Sequence, residues 1–371
     1  MKLSKIPGLG RFGTYIDDVD FNHLTNDEWL EIGKIHMQGL VTVVRNTNLT
    51  KDHFVDRVLK FGETRYGLKN YLVKKYDRPW PIIVDDAQEN ADYLDAEDAV
   101  AIRSLFKTQE RTASGYDVSR VTGGYDADGN PRGLFAEGEL LWHSNESGTL
   151  TWTPGVALLA HQNVVGSATG FVTTPDYYES VNDSFRRELD DMIILHRFTP
   201  GKINPGLNKE QDAIMHANMC PEEDREIPMV IRSPGGITGL HYSINTAYSI
   251  KGLTKKESDK VFKRINKELF VEKYMYDHWY KNNNDLMLFD NSITLHRRLG
   301  NIEGRLCYRI AHDYTNLQSG AYQPYLQQPY ANEYANEIRH IVKIAGIKNF
   351  KLPPRDLLGY FKAFAKKYVH A

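Results

Sequence analysis

The sequence predicts a mainly β fold: a jelly-roll barrel with helical additions, α+β overall. Three observations predict it. Short β-rich runs are interrupted by helices without the regular alternation of a doubly wound sheet, and they concentrate from Gly138 onward. No glycine-rich nucleotide loop follows a strand; Gly8 and Gly10 lie in an irregular segment with no later glycine at the fingerprint spacing. The chain has 371 residues, 41% apolar and 25% charged, enough for a sizeable core under a solvated surface.

A formal net charge of −2 gives no electrostatic reason to expect nucleic acid or an anionic membrane as partner. The two cysteines, Cys220 and Cys307, argue against a disulfide framework and for a reducing compartment, so a cytoplasmic location is expected. The N-terminal residues lack the apolar core and cleavage site of a signal peptide. No run approaches the roughly 18 apolar residues of a membrane span.

In chain order, residues 1–20 read as irregular. Thr25 caps a helix to about Gln38, with Glu28 completing a capping box and Trp29, Leu30, Ile32 and Ile35 on the buried face. Leu40 to Arg45 is a buried strand. Thr50 starts a second helix carrying Phe54, Val55, Val58 and Leu59, closed by Gly62. Pro79-Trp80-Pro81 marks a turn, and Ala87 to Thr108 is partly helical. Val121 to Asn130 reads as a strand ending in a hairpin turn. Its Asp126-Ala127-Asp128-Gly129 piece lacks the later ligands of a calcium loop. Strands follow at Glu139–Ser144, Val156–Gln162 and Thr169–Thr174, then a helical region from Pro175 to Met192.

Residues 196–228 form a polar excursion of the kind that covers a site. Met229–Arg232 and Thr238–Ser243 return to strand. Thr254 and Glu257 make a second capping box, opening a helix that buries Val261, Phe262, Ile265 and Leu269. Tyr274–Trp279 is a strand, Asn282–Asp285 a turn, and Leu286–Phe289 and Arg305–His312 the last strands. Helices at Glu333–Ala345 and from Pro353 to about Tyr368 could pack on the barrel or on a second subunit. The organisation expected is one domain over 1–371, with a jelly-roll core about 120–314, a cover insertion about 172–235 and C-terminal helices about 330–370.

The chemistry gathers at two stretches: Leu140-Leu141-Trp142-His143-Ser144-Asn145-Glu146-Ser147, and Asp285 through Asp290-Asn291 to His296, followed by Arg305 and Arg309. If residues 140–145 are extended, His143 and Asn145 share a face and Ser144 points away. Two imidazoles and one oxygen ligand on one face leave three open positions on a six-coordinate iron, enough for a bidentate 2-oxo acid and dioxygen. On a strand, Arg305 and Arg309 share a face with Cys307, and a buried arginine there needs an anionic partner such as a carboxylate. Phe171, Tyr242 and Asn245 are further candidates to line the cavity. His161, His241 and His278 read as structural, and Trp142 as packing beneath the sheet.

From about Thr14 to Tyr314 the chain resembles the TauD/TfdA-like (taurine dioxygenase) family of iron(II)- and 2-oxoglutarate-dependent dioxygenases. The family's Trp-His-x-Asp-x-Ser segment is similar to Trp142 through Ser147. Its Gly-Gly-x-Thr strand is similar to Gly166-Ser167-Ala168-Thr169, and its Asn-Asp-Leu…Asp-Asn…His segment to Asn284-Asp285-Leu286, Asp290-Asn291 and His296. Its Arg-x-x-x-Arg matches Arg305 and Arg309, and Gly252-Leu253-Thr254 resembles another landmark. The resemblance implies a double-stranded β-helix core, with iron(II) and 2-oxoglutarate as cofactors. It implies His143, Asn145 and His296 as metal ligands, and Thr169 and Arg305 on the distal carboxylate of 2-oxoglutarate. Arg309 would stand near the cofactor or on an anionic group of the substrate. The interval from His296 to Arg305 is short for the family, so the two arginine roles are open to exchange. The reaction implied is hydroxylation of an aliphatic C–H of a small anionic or zwitterionic substrate, consuming dioxygen and releasing succinate and carbon dioxide.

The departure is Asn145, where the family has a carboxylate. Three readings stand. Asn145 ligates through its neutral amide oxygen; or Glu146 supplies the carboxylate, turned inward by a bulge; or the position is vacated. The last makes a halogenase, a desaturase or a catalytically inactive binding barrel the alternative functions.

Overall fold

The computed structural model describes residues 1–62, 72–73, 75–96, 98–99, 102–103, 108–114, 116–125, 127, 132–133, 136, 138–147, 152–197, 224–314 and 316–317. The expected C-terminal helices, residues 198–223 of the excursion and most of the turn at 126–130 lie outside the described residues.

The N-terminus, expected to be irregular, contributes β1 (Lys2–Lys5) and β2 (Thr14–Asp17), an antiparallel pair. The glycines that suggested irregularity form only the connection, where Gly8, Gly10 and Gly13 all take positive φ. Helix α1 (Asn26–Gly39) starts at Thr25, whose side chain accepts from the Glu28 backbone while Glu28 returns to the cap, as the spacing predicts. It leads into β3 (Val41–Val44), buried throughout. Helix α2 (Lys51–Val58) is capped by Thr50. The turn expected at Pro79-Trp80-Pro81 is instead the start of α3 (Trp80–Gln88). Proline is tolerated there because the first-turn N–H groups have no intrahelical acceptor to lose.

Next come β4 (Gln109–Arg111), β5 (Asp117–Thr122), β6 (Leu140–His143), β7 (Gly155–Gln162) and β8 (Ser167–Thr173). The region 175–192 holds two helices, α4 (Pro175–Ser180) and α5 (Asp183–Asp191). They are separated because Asn182 caps the second by accepting from the Phe185 N–H. Strands β9 (Ile193–His196), β10 (Arg225–Pro228), β11 (Val230–Arg232), β12 (Thr238–Leu240) and β13 (Ala247–Ile250) precede α6 (Lys255–Leu269), which carries the second capping box. The chain closes with β14 (Met275–Trp279), β15 (Leu286–Asp290), β16 (Thr294–Gly300) and β17 (Leu306–His312).

Two sheets face each other. The larger has the order β1-β2-β3-β15-β7-β17-β5-β4, the smaller β14-β8-β16-β6. Between them lies an apolar layer including Val41, Val43, Val156, Leu158, Phe171, Met287, Phe289 and Cys307. The outer face of the large sheet is covered by α1 and α2, where Trp29 stacks on Phe61 at 4.6 Å. Each such fully buried side chain contributes about 1.5–3 kcal/mol. The outer face of the small sheet is covered by α4, α5, α6 and strands β11 to β13. Both sheets are therefore clamped from outside. The space between them is the jelly-roll interior, and the functional side chains project into it. Among the described residues no helix is long and apolar enough to cross a membrane.

Candidate metal centre

His143 ends β6 and His296 sits on β16, and the two are cross-strand partners. Cross-strand partners project from the same face, and their rings lie 4.1 Å apart. That face is the interior: His296 meets Phe289 of the large sheet at 4.7 Å, and Phe171, its partner on β8, meets the same ring at 5.3 Å. β16 was not expected as a strand. Its two arginines hide the alternation: Arg297 points outward, pairs with Asp277 at 2.6 Å and lies over Trp142. Arg298 shares the inward face with His296 and donates to the Gly138 carbonyl at 2.7 Å.

His143 Nδ1–H donates to the Leu141 carbonyl at 2.7 Å. This fixes the tautomer and leaves the Nε2 lone pair free. Burial lowers the His143 pKa to about 4. Burial, followed by the charges of His143 and Arg309, holds His296 well below the ordinary imidazole range. Both rings are uncharged at neutral pH, the form that ligates a metal.

The strand expected to run through Ser144 stops at His143, and residues 145–147 form a turn. Strand alternation therefore does not aim Asn145; Asn291 does. The Asn291 Oδ1 accepts from the Asn145 backbone N–H at 2.8 Å, while its Nδ2 donates to the carbonyls of Asn145 at 2.9 Å and Thr153 at 2.8 Å. The Ser144 hydroxyl donates to the Asn291 carbonyl at 2.7 Å. The Asn145 side-chain Nδ2 is buried without a hydrogen-bond partner. Glu146 takes φ +63°, and its carboxylate lies 3.4 Å from Arg309 Nη2. Among the described residues no third histidine, cysteine or carboxylate gathers with the pair. Two neutral imidazoles facing a shared interior fit a divalent metal. With Asn145 as the third ligand the donor set would be one negative charge short of two histidines and a carboxylate.

Arg305 stands at the other end. It immediately precedes β17, where the register shifts between Leu306 and Cys307. It is 1% exposed. Its Nη2 donates to Thr169 Oγ1 at 3.4 Å, while Nε and Nη1 have no hydrogen-bond partner, and among the described residues no carboxylate pairs with it. A buried guanidinium with two idle donors is costly unless an anion meets it, so the position fits a carboxylate ligand. Tyr280, which the sequence reading did not single out, completes this end. Its hydroxyl shares a 2.6 Å hydrogen bond with Thr169 Oγ1, and its ring lies 5.5 Å from the Arg305 guanidinium. Its spacing of two from His278 was the available signal, since Thr169 and His278 are cross-strand partners.

The sequence profile described as "Taurine catabolism dioxygenase TauD, TfdA family" matches residues 4–310. The chain belongs to this family. As a TauD/TfdA member it is an oxidoreductase, a dioxygenase dependent on iron(II) and 2-oxoglutarate, with a small-molecule substrate and dioxygen as reactants. No curated protein sequence matches the chain. Solved structures share its fold. AAD-2 in complex with Mn(II) and N-oxalylglycine is 16% identical, with a TM-score of 0.56 over 84% of this chain and 97% of that one. A taurine dioxygenase from Burkholderia xenovorans is 16% identical, with a TM-score of 0.55 over 84% of this chain and 89% of that one.

Within this TauD/TfdA fold the remaining candidates separate clearly. Phe171 lies beside His296, whereas Tyr242 is buried in the outer layer, donating to Asn266 Oδ1 at 2.9 Å. The Asn245 side chain accepts from the Ser243 hydroxyl. His241 donates to the Ser292 carbonyl at 2.7 Å, His278 pairs with Asp285 at 2.9 Å, and His161 lies 5.0 Å from the Tyr308 ring. Trp142 packs against Phe270 outside the small sheet.

Proposed function

We propose that the protein hydroxylates an aliphatic C–H of a small anionic or zwitterionic substrate, releasing succinate and carbon dioxide. His143, His296 and the amide oxygen of Asn145 would hold the iron(II). Thr169 and Arg305 would hold the distal carboxylate of 2-oxoglutarate, and Arg309 the charged end of the substrate. When bound, iron(II) with 2-oxoglutarate supplies the oxidising power that no side chain has. The chain supplies binding, orientation and a dry interior. The Leu141 carbonyl keeps the Nε2 of His143 free to bind, Asn291 fixes the loop bearing Asn145, and Phe171 and Phe289 exclude water beside the histidines.

The observation that carries this reading is the buried Arg305 guanidinium beside Thr169 with two donors idle. The test is an anaerobic titration of the protein with iron(II) and 2-oxoglutarate, following the visible charge-transfer band. A saturable band that requires both additions is expected; no band and no binding would sink the proposal. Succinate release with candidate substrates then measures turnover. Product mass distinguishes an added oxygen from halogenation or desaturation, the outcomes that a neutral Asn145 keeps open.

A further inference from the structure

Several buried polar groups on one side of the histidine pair make no hydrogen bond. Arg298 and its cross-strand partner Thr169 lie one row from His296, toward Arg305. Thr294 and its partner Thr173 lie one row the other way. Alternation puts both threonines on the face that carries His296. They are buried, and among the described residues neither hydroxyl has a hydrogen-bond partner. Asn145, two residues past His143, adds its idle Nδ2. The hairpin that precedes Thr294 leads to two more such groups. The Ser292 carbonyl accepts from the Nδ1–H of His241 at 2.7 Å, and the His241 ring lies 5.4 Å from that of His196. The Thr246 hydroxyl donates to the Ser243 carbonyl at 3.4 Å, so it accepts from the Nδ1–H of His196 at 2.8 Å. Burial lowers the His241 pKa to about 4 and, with the charge of His241, holds His196 well below the ordinary imidazole range. Both rings are therefore neutral and have used their only N–H. Each Nε2 is a buried lone pair that meets no donor among the described residues.

Buried polar atoms without partners are costly, and folded proteins meet them with water or a ligand. The two threonine hydroxyls can donate and accept, the Asn145 Nδ2 can only donate, and the two imidazole Nε2 atoms can only accept. A hydrocarbon chain satisfies none of them. A carboxylate, which only accepts, leaves both Nε2 atoms idle. These five side chains carry no charge, so a buried ammonium would find no counter-ion among them. A hydroxyl group donates, accepts and brings no charge. We propose that this side of the interior is a subsite for a polyhydroxylated carbon chain, whose hydroxyls donate to the Nε2 atoms of His241 and His196 and exchange hydrogen bonds with Thr173 and Thr294. The proposal rests on the reading of His143 and His296 as the oxygenation centre, and it names the substrate's class: a small acid of the sugar-acid type rather than an alkyl acid. The hydroxyls fix the chain beside the metal pair and so decide which C–H faces it.

The test uses the full chain loaded anaerobically with iron(II) and 2-oxoglutarate. The probes are threonate, xylonate and gluconate, each matched with the unsubstituted alkanoate of the same carbon count. The readout is the shift of the visible charge-transfer band on binding. At least one sugar acid is expected to bind about tenfold or more tightly than its matched alkanoate. His241→Phe keeps a ring of similar size without the acceptor, and Thr294→Val replaces the hydroxyl with a methyl group. Each is expected to reduce that preference several-fold while the band itself still forms. Three results would overturn the proposal: alkanoates binding as tightly as their matched sugar acids, no sugar acid shifting a band that does form, or the full preference surviving in both variants. Failure of the band to form in the unaltered protein is a separate result. It overturns the reading of the metal centre on which this proposal rests.

Discussion

At the scale of single residues, charge decides the outcome at two positions. Asn145 stands where the family's motif carries a carboxylate, and as a ligand in the proposed site it would leave the iron one negative charge short. Asn145→Asp is expected to tighten iron(II) binding by about an order of magnitude, ~1.4 kcal/mol. Competition against a chromophoric chelator measures this; unchanged affinity would mean that position 145 is not at the metal. Asp290 is the second case. It is buried, and its carboxylate accepts from the Ser292 and Ile293 backbone N–H groups at 2.8 Å each. Burial nonetheless wins and raises its pKa to about 7. The folded state then binds this proton more tightly than the unfolded chain does. The contribution is fully present below pH ~4 and is lost as pH rises through about 7. Between those limits stability falls by up to about 1.4 kcal/mol per pH unit from this group. Asp290→Asn keeps an oxygen acceptor for the two N–H groups and removes the titration. Denaturant melts at pH 5 and pH 8 are expected to show the variant gaining on the parent at the higher pH. A gap that does not change with pH would refute the assignment.

At the scale of elements, the hairpin joining β15 to β16 determines where the loop bearing Asn145 sits. Asn291 is fully buried and satisfies the backbone of Asn145 on both sides as well as Thr153. Asn291→Ala would leave those groups unpaired in the interior, at about 1–3 kcal/mol for each group so stranded. It is therefore expected to destabilise the fold by several kcal/mol and to weaken iron(II) binding as well. Thr254→Ala at the α6 cap is the control: it removes a surface capping bond, costs about 1 kcal/mol, and leaves metal affinity alone. The same elements show what the sequence could reveal. The capped helices and the strands from Gly155 to Thr173 were legible because capping boxes and apolar runs are local signals, whereas His143 and His296 were linked only through the family resemblance. β16 was not legible, because both faces carry an arginine and their partners, Asp277 for Arg297 and the Gly138 carbonyl for Arg298, come together only in three dimensions. Nor was the start of α3, where Pro79 and Pro81 suggested a turn although prolines fit a first helical turn. The placement of Asn145 was illegible for the same reason as β16: its anchor, Asn291, is distant in sequence.

At the scale of the whole molecule, the site belongs to neither sheet alone. His143 and His296 come from the small sheet, while Arg305 immediately precedes β17 of the large one and Arg309 lies within it. A ligand that meets the metal at one end and Arg305 at the other therefore ties the sheets together. Ligands that bind only the folded state stabilise it by mass action, about 2.7 kcal/mol at a hundredfold excess over the dissociation constant. Iron(II) alone is expected to raise the melting temperature modestly. 2-Oxoglutarate alone is expected to do little, since Arg305 by itself offers only one contact end. The two together are expected to add about 5 °C or more. Stripping the metal with a chelator should return the melt to that of the bare chain even with 2-oxoglutarate present. Arg305→Leu separates the two ends: it should keep the increment from iron(II) and lose the increment from 2-oxoglutarate. If the variant retained the 2-oxoglutarate increment, the anion would be held elsewhere and the assignment of Arg305 would fail, while the histidine centre would stand.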